Sequence, residues 1–142
     1  MEIVVGIDGS VTSNEALDFA CEEAKLRQAN LKIVHAWDLV YDSDVEFSGA
    51  DFRFQIETQA QSLLDAAAKH ASDRCGDHVT ITKRLIPGSA APALLEEAKN
   101  ADLIVVGSRG RGGFASLILG STSHQVLNHA RSPVVVVRKS DA

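Results

Sequence analysis

The stretch Asp102-Leu103-Ile104-Val105-Val106-Gly107 decides the fold of this chain. Its four consecutive apolar residues, three of them β-branched, lie between an acidic residue and a glycine. A short, continuous apolar run of this kind is typical of a strand that is buried on both faces, as strands of parallel sheets are. We therefore predict that residues 102–107 form a buried strand of a parallel sheet.

Further strands and helices alternate on either side of this run. Apolar runs predict strands at 2–8, 31–37, 79–86 and 133–137, while apolar residues at helical spacing predict helices at about 13–29, 52–74 and 121–130, with another beginning after Ser89. Such alternation implies parallel strands that are joined by right-handed crossovers. The predicted fold class is α/β, with a single-domain, doubly wound, five-stranded parallel sheet and helices on both faces.

Local signals refine the helices and loops. Thr12 and the glutamate three positions later have the spacing of a capping box, which predicts that Thr12 caps the first helix. In the last helix, Val126, Leu127 and Ala130 are predicted to face the core. The acidic stretch 38–51 shows little periodicity and is predicted to be a surface loop.

Composition narrows the class of protein. The chain has 142 residues and a net charge of −5, which argues against a broad nucleic-acid interface because such an interface needs a basic face. No apolar segment is long enough to span a membrane, and the N-terminus lacks the pattern of a signal peptide. Cys21 and Cys75 lack motif spacing, and Cys21 lies on an apolar helix face where a buried, inert thiol is expected. We expect a cytoplasmic protein.

A glycine-rich segment directly follows the run 102–107 and ends at the start of a predicted helix. Glycines allow consecutive backbone amides to turn toward an anion, and a helix N-terminus adds unpaired amides and a favourable dipole. Two arginines supply positive charge, and two serines supply hydroxyl groups. The segment is predicted to cradle a polyphosphate. The alternative is a flexible loop in which Ser121 only caps the helix. The groups concerned are Gly107, Arg109, Gly110, Arg111, Gly112, Gly113, Gly120, Ser121 and Ser123.

Other phosphate and catalytic motifs are absent or weak. No Gly-Lys pair exists for a Walker A loop, and the match of Gly110-x-Gly112-x-x-Ala115 to a dinucleotide fingerprint lacks its acidic ribose partner. No esterase elbow or zinc-protease helix occurs. His35 is expected to be a core residue, and the acidic residues at 42, 44 and 46 to be solvated. We therefore predict no catalytic residue and no metal ligand.

The spacing Gly107-x2-Gly110-x9-Gly120-Ser121 resembles the ATP-binding signature of the universal stress protein family. Residues 6–10 resemble the opening motif of that family, and residues 132–138 resemble its closing strand. The resemblance covers essentially the whole chain, 1–142. It implies one universal stress protein domain of the ATP-binding branch, with a Rossmann-like fold similar to adenine-nucleotide hydrolases, and ATP as the ligand, with or without Mg²⁺.

The same resemblance implies roles for individual residues. Ile7 would line the adenine pocket, and Ala36 would meet adenine through its backbone. The pocket is expected to be looser here because Ala36 is smaller than the usual valine or isoleucine. Asp8 would hold the ribose hydroxyls. Its alternative role is to cap the turn that follows the first strand. The groups implied to lie along ribose and phosphates are Val106, Gly107, Arg109, Gly110, Gly120, Ser121, Thr122 and Ser123.

Three functions remain open on these residues. The leading hypothesis is a nucleotide-dependent switch or binding module of a stress response. A nucleotide-processing enzyme with slow ATPase activity is the second, although no convincing general base is seen. A structural module that binds no nucleotide is the third. The apolar strand 133–137 is expected at a sheet edge, and the resemblance implies a homodimer through it.

Overall fold

The computed structural model describes residues 1–38, 49–109 and 119–139, with the backbone alone described at 49 and 50. Within these residues, five strands alternate with four α-helices. The strands are β1 (Glu2–Ile7), β2 (Asn30–Trp37), β3 (Ile81–Pro87), β4 (Leu103–Gly107) and β5 (Val134–Val137). The helices are α1 (Val11–Arg27), α2 (Gly49–Cys75), α3 (Ala90–Glu97) and α4 (Ser121–His129).

All neighbouring strands pair in parallel, and their order in the sheet is β3-β2-β1-β4-β5. The chain builds the sheet outward from β1 to β3, then returns to the other side of β1 to add β4 and β5. The direction of winding therefore reverses between β1 and β4, where Ile3, Val4 and Val5 pair with 103–105. In such sheets ligands bind beyond the carboxyl ends of the strands at this reversal. The predicted fold class is confirmed.

The two faces of the sheet carry separate cores. Ile3, Val5 and Ile7 point to the face that is covered by α1 and α2, whereas Val4 and Val34 point to the face that is covered by α3 and α4. Successive side chains of a strand alternate between faces, so a continuous apolar strand supplies both cores. This arrangement explains why β1 and β4 are apolar without interruption.

The buried faces of the helices follow the predicted periodicity, with one exception. Leu127 was predicted to face the core, but 43% of its surface is exposed. Val126 is fully buried and Ala130, one turn later, is half-buried. Because each residue turns a helix by about 100°, Leu127 is rotated away from the face that these two define. The prediction for Leu127 is therefore wrong.

The prediction that Thr12 caps α1 is also wrong. Ser10 is the N-cap, and its hydroxyl oxygen accepts a hydrogen bond from the Ser13 amide at 3.3 Å. Thr12 lies inside the first turn, where it is 5% exposed and bonds to another part of the chain. Spacing to a glutamate identified a helix start correctly but not which of two nearby hydroxyl residues caps it.

The predicted loop 38–51 is shorter than expected, because α2 begins at Gly49. The acidic residues at 42, 44 and 46 lie outside the described residues. Across the parts of the chain that the structure describes, no group of three or more potential metal ligands is found. In those same parts, no helix combines the length and the apolar character that crossing a bilayer requires.

Candidate functional site

The turn that follows β1 is fixed by its own side chains. Asp8 Oδ1 accepts a hydrogen bond from the Ser10 amide at 2.9 Å, and Gly9 has a φ of 84°, which glycine adopts without strain. The Ser13 hydroxyl oxygen accepts from the Asp8 amide at 3.2 Å. The turn-capping role of Asp8 is thus confirmed, and its half-buried carboxylate lies at the carboxyl end of β1.

The carboxyl end of β4 packs closely against the N-terminus of α1. A Cβ atom at Gly107 would lie 2.7 Å from Thr12 Oγ1 and 2.8 Å from the Thr12 carbonyl carbon. The Thr12 hydroxyl donates to the carbonyl oxygen of Arg109 at 2.5 Å. Glycine is therefore required at 107 by this close packing, because α1 occupies the space that a side chain would need.

The start of α4 is bonded to the same strand end. The carbonyl oxygen of Ser108 accepts from the Gly120 amide at 2.5 Å and from the Ser123 hydroxyl at 3.2 Å. The Ser108 amide donates to the carbonyl oxygen of Val137 at 2.8 Å. These bonds hold α4 beside the carboxyl ends of β4 and β5.

At the N-terminus of α4, the backbone amides at 121–123 have no hydrogen-bond acceptor among the described residues. Gly120 is the N-cap and supplies no side-chain hydrogen bond. The first intrahelical bond runs from the His124 amide to the carbonyl oxygen of Gly120. The amides of the three residues before His124 therefore have no acceptor within the helix. These amides and the helix dipole favour an anion. The alternative in which Ser121 caps the helix is wrong, because Ser121 is the first helical residue.

A cleft opens between these elements, on the side of the sheet that α3 and α4 cover. Its floor is apolar, because the Leu94 side chain packs directly on β1 at Gly6. A Cβ atom at Gly6 would lie 2.8 Å from the end of that side chain. Its rim is polar. The apolar lining residues are Ile7, Val34, Ala36, Ala90, Leu94 and Val106, and the polar ones are Asp8, Ser13, Arg109, Thr122 and Ser123.

Comparison with known proteins identifies the family. Residues 1–138 match the model of the universal stress protein family. This chain belongs to the universal stress protein family. A universal stress protein of Mycobacterium bovis is 39% identical over 139 residues, which cover 96% of this chain but 43% of that protein. The chain thus spans less than half the length of the curated relative.

Solved structures of the family share the fold. The universal stress protein UspA of Lactobacillus plantarum aligns over 97% of both chains with a TM-score of 0.80 and 23% identity. A universal stress protein crystallised in complex with cAMP aligns over 99% of this chain and 98% of its own, with a TM-score of 0.74 and 28% identity.

Most of the residues that the sequence assigned to the site of this universal stress protein meet at the cleft. Eight of them line it, namely Ile7, Asp8, Ala36, Val106, Gly107, Arg109, Thr122 and Ser123. Gly120 and Ser121 lie at the start of α4 and do not belong to the lining. Gly110, the middle glycine of the signature, lies outside the described residues. Proximity of the eight is a finding, whereas their contact with a nucleotide stays a prediction.

Several residues that line or support the cleft were missed. Gly6, Ser13, Val34 and Leu94 line it, and Ser108 joins β4 to α4. Val34 was accessible from the sequence, because it shares a strand face with Ala36 two positions later. Leu94 and Ser108 lie at the site because of tertiary contacts, which no local sequence pattern predicts.

One histidine beside the site has a structural role. His35 is 8% exposed, and its Nδ1 lies 2.8 Å from the carbonyl oxygen of Ile7, its partner in the β1–β2 ladder. Ile7 immediately precedes Asp8, so this contact fixes the end of β1. The prediction of a core histidine is confirmed.

Proposed function

We propose that this universal stress protein domain binds ATP, with or without Mg²⁺, and acts as a nucleotide-dependent switch or binding module. One observation carries the proposal. A cleft with an apolar floor at the reversal of the sheet is lined by Arg109 and by Thr122 and Ser123 of the first turn of α4, whose amides have no intrahelical partner. The relative in complex with cAMP supports an adenine nucleotide in particular.

The floor of the cleft suits adenine. Val34, Ala36 and Leu94 offer apolar contacts, and the backbone of a strand end offers hydrogen bonds to the ring edge. Ala36 leaves more room than a larger residue would. We therefore expect this site to tolerate substituents on the adenine ring better than a site with valine or isoleucine there.

Asp8 is proposed to hold the ribose. Asp8 follows the carboxyl end of β1 and lines the cleft, next to the carboxyl end of β4. A carboxylate accepts hydrogen bonds from two hydroxyl groups, which is what the ribose 2′ and 3′ positions offer. The same side chain also stabilises its turn through the Ser10 amide, so its position is set before any ligand binds.

The phosphates are proposed to lie along the β4–α4 side of the cleft. Backbone amides at 121–123 and those of the glycines at 107 and 110 would donate to them, and Arg109 would supply positive charge. Gly120 would only shape the turn, because its amide already donates to the Ser108 carbonyl. The Ser123 hydroxyl donates to backbone carbonyls of Ser108 and Gly120, so we assign any phosphate contact of Ser123 to its amide. When Mg²⁺ is bound it neutralises phosphate charge and retains most of its waters.

Two measurements test ATP binding. Freshly purified protein is denatured and any released nucleotide is identified by mass spectrometry, and calorimetric titration gives the affinity of nucleotide-free protein. Arg109→Gln is expected to weaken ATP binding by about tenfold, since a charge-assisted bond is lost. Arg131→Gln is the matched control, because Arg131 is exposed beyond α4 and does not line the cleft. Wild-type protein that neither releases nor binds an adenine nucleotide would overturn the proposal.

Slow ATP hydrolysis is a second candidate function. It is favoured by Asp8 and Arg109, which both line the cleft and whose side chains carry charges of the kind that phosphoryl transfer uses. Release of phosphate or pyrophosphate in the presence of Mg²⁺ distinguishes the two candidates. Turnover that exceeds the rate of nucleotide exchange would favour the enzyme over the switch.

We also propose that the domain forms a homodimer through β5. This strand is at the edge of the sheet, its four valines are half-buried, and Leu127 is exposed on the adjacent helix α4. An apolar edge strand with unpaired backbone groups favours association with a second copy. Light scattering at micromolar concentration should show a dimer that Leu127→Glu weakens. A strictly monomeric wild-type particle would contradict it.

A further inference from the structure

The backbone of Arg109 is anchored by a residue that does not line the cleft. Thr12 Oγ1 donates to the carbonyl oxygen of Arg109 at 2.5 Å and accepts from the Arg109 amide at 3.4 Å. The hydroxyl of Ser10 donates to the same carbonyl at 3.3 Å. The Thr12 hydroxyl thus bonds to both the backbone amide and the backbone carbonyl of Arg109, and the Ser10 hydroxyl adds a second bond to that carbonyl.

The anchor is tightly enclosed. Thr12 is 5% exposed, and Gly107, two residues before Arg109, approaches it so closely that a Cβ atom there would lie 2.7 Å from Thr12 Oγ1. In such packing a hydroxyl has little freedom to move, and a lost hydrogen bond is not replaced by water without displacement of the backbone.

The Thr12 anchor bears on where the positive charge of Arg109 lies relative to the cleft. Arg109 lines the cleft, whereas Thr12 does not. Among the contacts of the described residues, Thr12 reaches Arg109 through the backbone amide and carbonyl that it holds. Displacement of that backbone would move a guanidinium by a distance that matters for a hydrogen bond to an anion, since such bonds weaken steeply with distance and angle.

We infer that Thr12 is a positioning residue for the phosphate end of the nucleotide site, acting through the main chain of Arg109. The inference rests on the proposed function and extends it. It assigns to α1 a part in phosphate binding that is separate from the adenine end, where Val34, Ala36 and Leu94 lie.

The test compares ATP with adenosine, which has no phosphates. Thr12→Val removes the hydroxyl and keeps the volume, while Thr12→Ser keeps the hydroxyl. We expect Thr12→Val to weaken ATP binding by about tenfold, the equivalent of one lost hydrogen bond, and to change adenosine binding by less than about twofold. Thr12→Ser should restore most of the ATP affinity. Urea unfolding of each variant reports on stability separately.

Each outcome is decisive. Equal ATP affinity of Thr12→Val and wild type would overturn the inference while leaving ATP binding intact. A parallel loss for ATP and adenosine would also overturn it, since that pattern indicates a merely structural role. Failure of the wild type to bind either ligand would reject the proposed function itself, and the inference with it. If Thr12→Val does not fold, Thr12→Ala and Thr12→Ser give the same comparison of the two ligands.

Discussion

The hydroxyl of Ser123 donates a hydrogen bond to the carbonyl oxygen of Ser108, 3.2 Å away, and thereby joins the start of α4 to the end of β4. Both residues are buried, at 2% and 3% exposure. Ser123 is separated from Ser108 by the glycine-rich segment, so this bond and the one from the Gly120 amide bring the two ends of that segment together. The geometry of the candidate phosphate site depends on this junction.

Replacement of Ser123 tests the junction. Ser123→Ala should lower the free energy of unfolding by about 1–2 kcal/mol, because a buried hydrogen bond is lost. Ser121→Ala is the control, since Ser121 lies two residues earlier on α4 and is exposed, and it should change stability by no more than about 0.5 kcal/mol. Urea unfolding followed by circular dichroism measures both. Equal stability of the two variants would contradict a structural role for the Ser123 hydroxyl.

Two strand glycines differ in what surrounds them. At Gly107 a new Cβ atom would meet backbone atoms of α1 at 2.8 and 2.9 Å, whereas at Gly6 it would meet the movable end of Leu94 at 2.8 Å. We expect Gly107→Ala to destabilise the fold by about 1–3 kcal/mol, and Gly6→Ala by less, because a side chain yields more readily than a helix backbone. Thermal unfolding of the matched pair checks this order, and the reverse order would refute it.

The Arg84–Glu97 pair predicts a pH dependence of stability. Arg84 donates to Glu97 Oε1 at 3.1 and 3.0 Å, and this bonding, with a contribution from Lys32, holds the pKa of Glu97 below its ordinary value of 4.5. A carboxylate with a depressed pKa stabilises the fold above its unfolded-state pKa. That stability is lost as the pH falls below 4.5 through the folded-state pKa.

Arg84→Met should therefore lower stability at neutral pH, and its difference from wild type should shrink as the pH falls below 4.5. Lys99→Met is the control, because the Lys99–Glu96 pair is exposed on both sides. It should show little effect at either pH. Urea unfolding at neutral and acidic pH gives the stability difference between each variant and wild type at both pH values. A difference for Arg84→Met that stays constant with pH would argue against the lowered pKa of Glu97.

The cysteines are expected to be unreactive while the protein is folded. Cys21 is fully buried and Cys75 is 3% exposed, and burial, followed by the neighbouring Cys75 thiol, raises the pKa of Cys21 well above its ordinary value. Because the thiolate is the reactive form, alkylation by iodoacetamide should stay slow even at mildly alkaline pH. Mass spectrometry with and without urea measures it.

A positive control is available on the surface. Leu26→Cys introduces a thiol on α1 at a position where the residue is 79% exposed, and it should react quickly in the folded protein. Alkylation of Cys21 at a rate similar to that of this introduced thiol, without urea, would show that the α1–α2 interface opens readily. The prediction that Cys21 is buried is already confirmed.

The sequence by itself determined the order of elements and the class of fold. Runs such as 102–107 and the helical spacing along α2 are local signals, because burial on one face or two imposes a periodicity that can be read without knowing the partner. The bounds that were predicted for strands and helices lie within about three residues of the observed ones, and for α3 only the start was predicted. The neighbourhood of Asp8 and Gly107 followed from the rule for parallel sheets.

Only the tertiary structure decided which groups bond to one another. The Thr12–Arg109 bond joins residues 97 positions apart. Leu127 faces outward because α4 is rotated about its axis by an amount that its apolar pattern did not predict. Periodicity states that a face is buried but not what covers it, and hydrogen bonds between distant residues depend on how helices and strands come together in three dimensions.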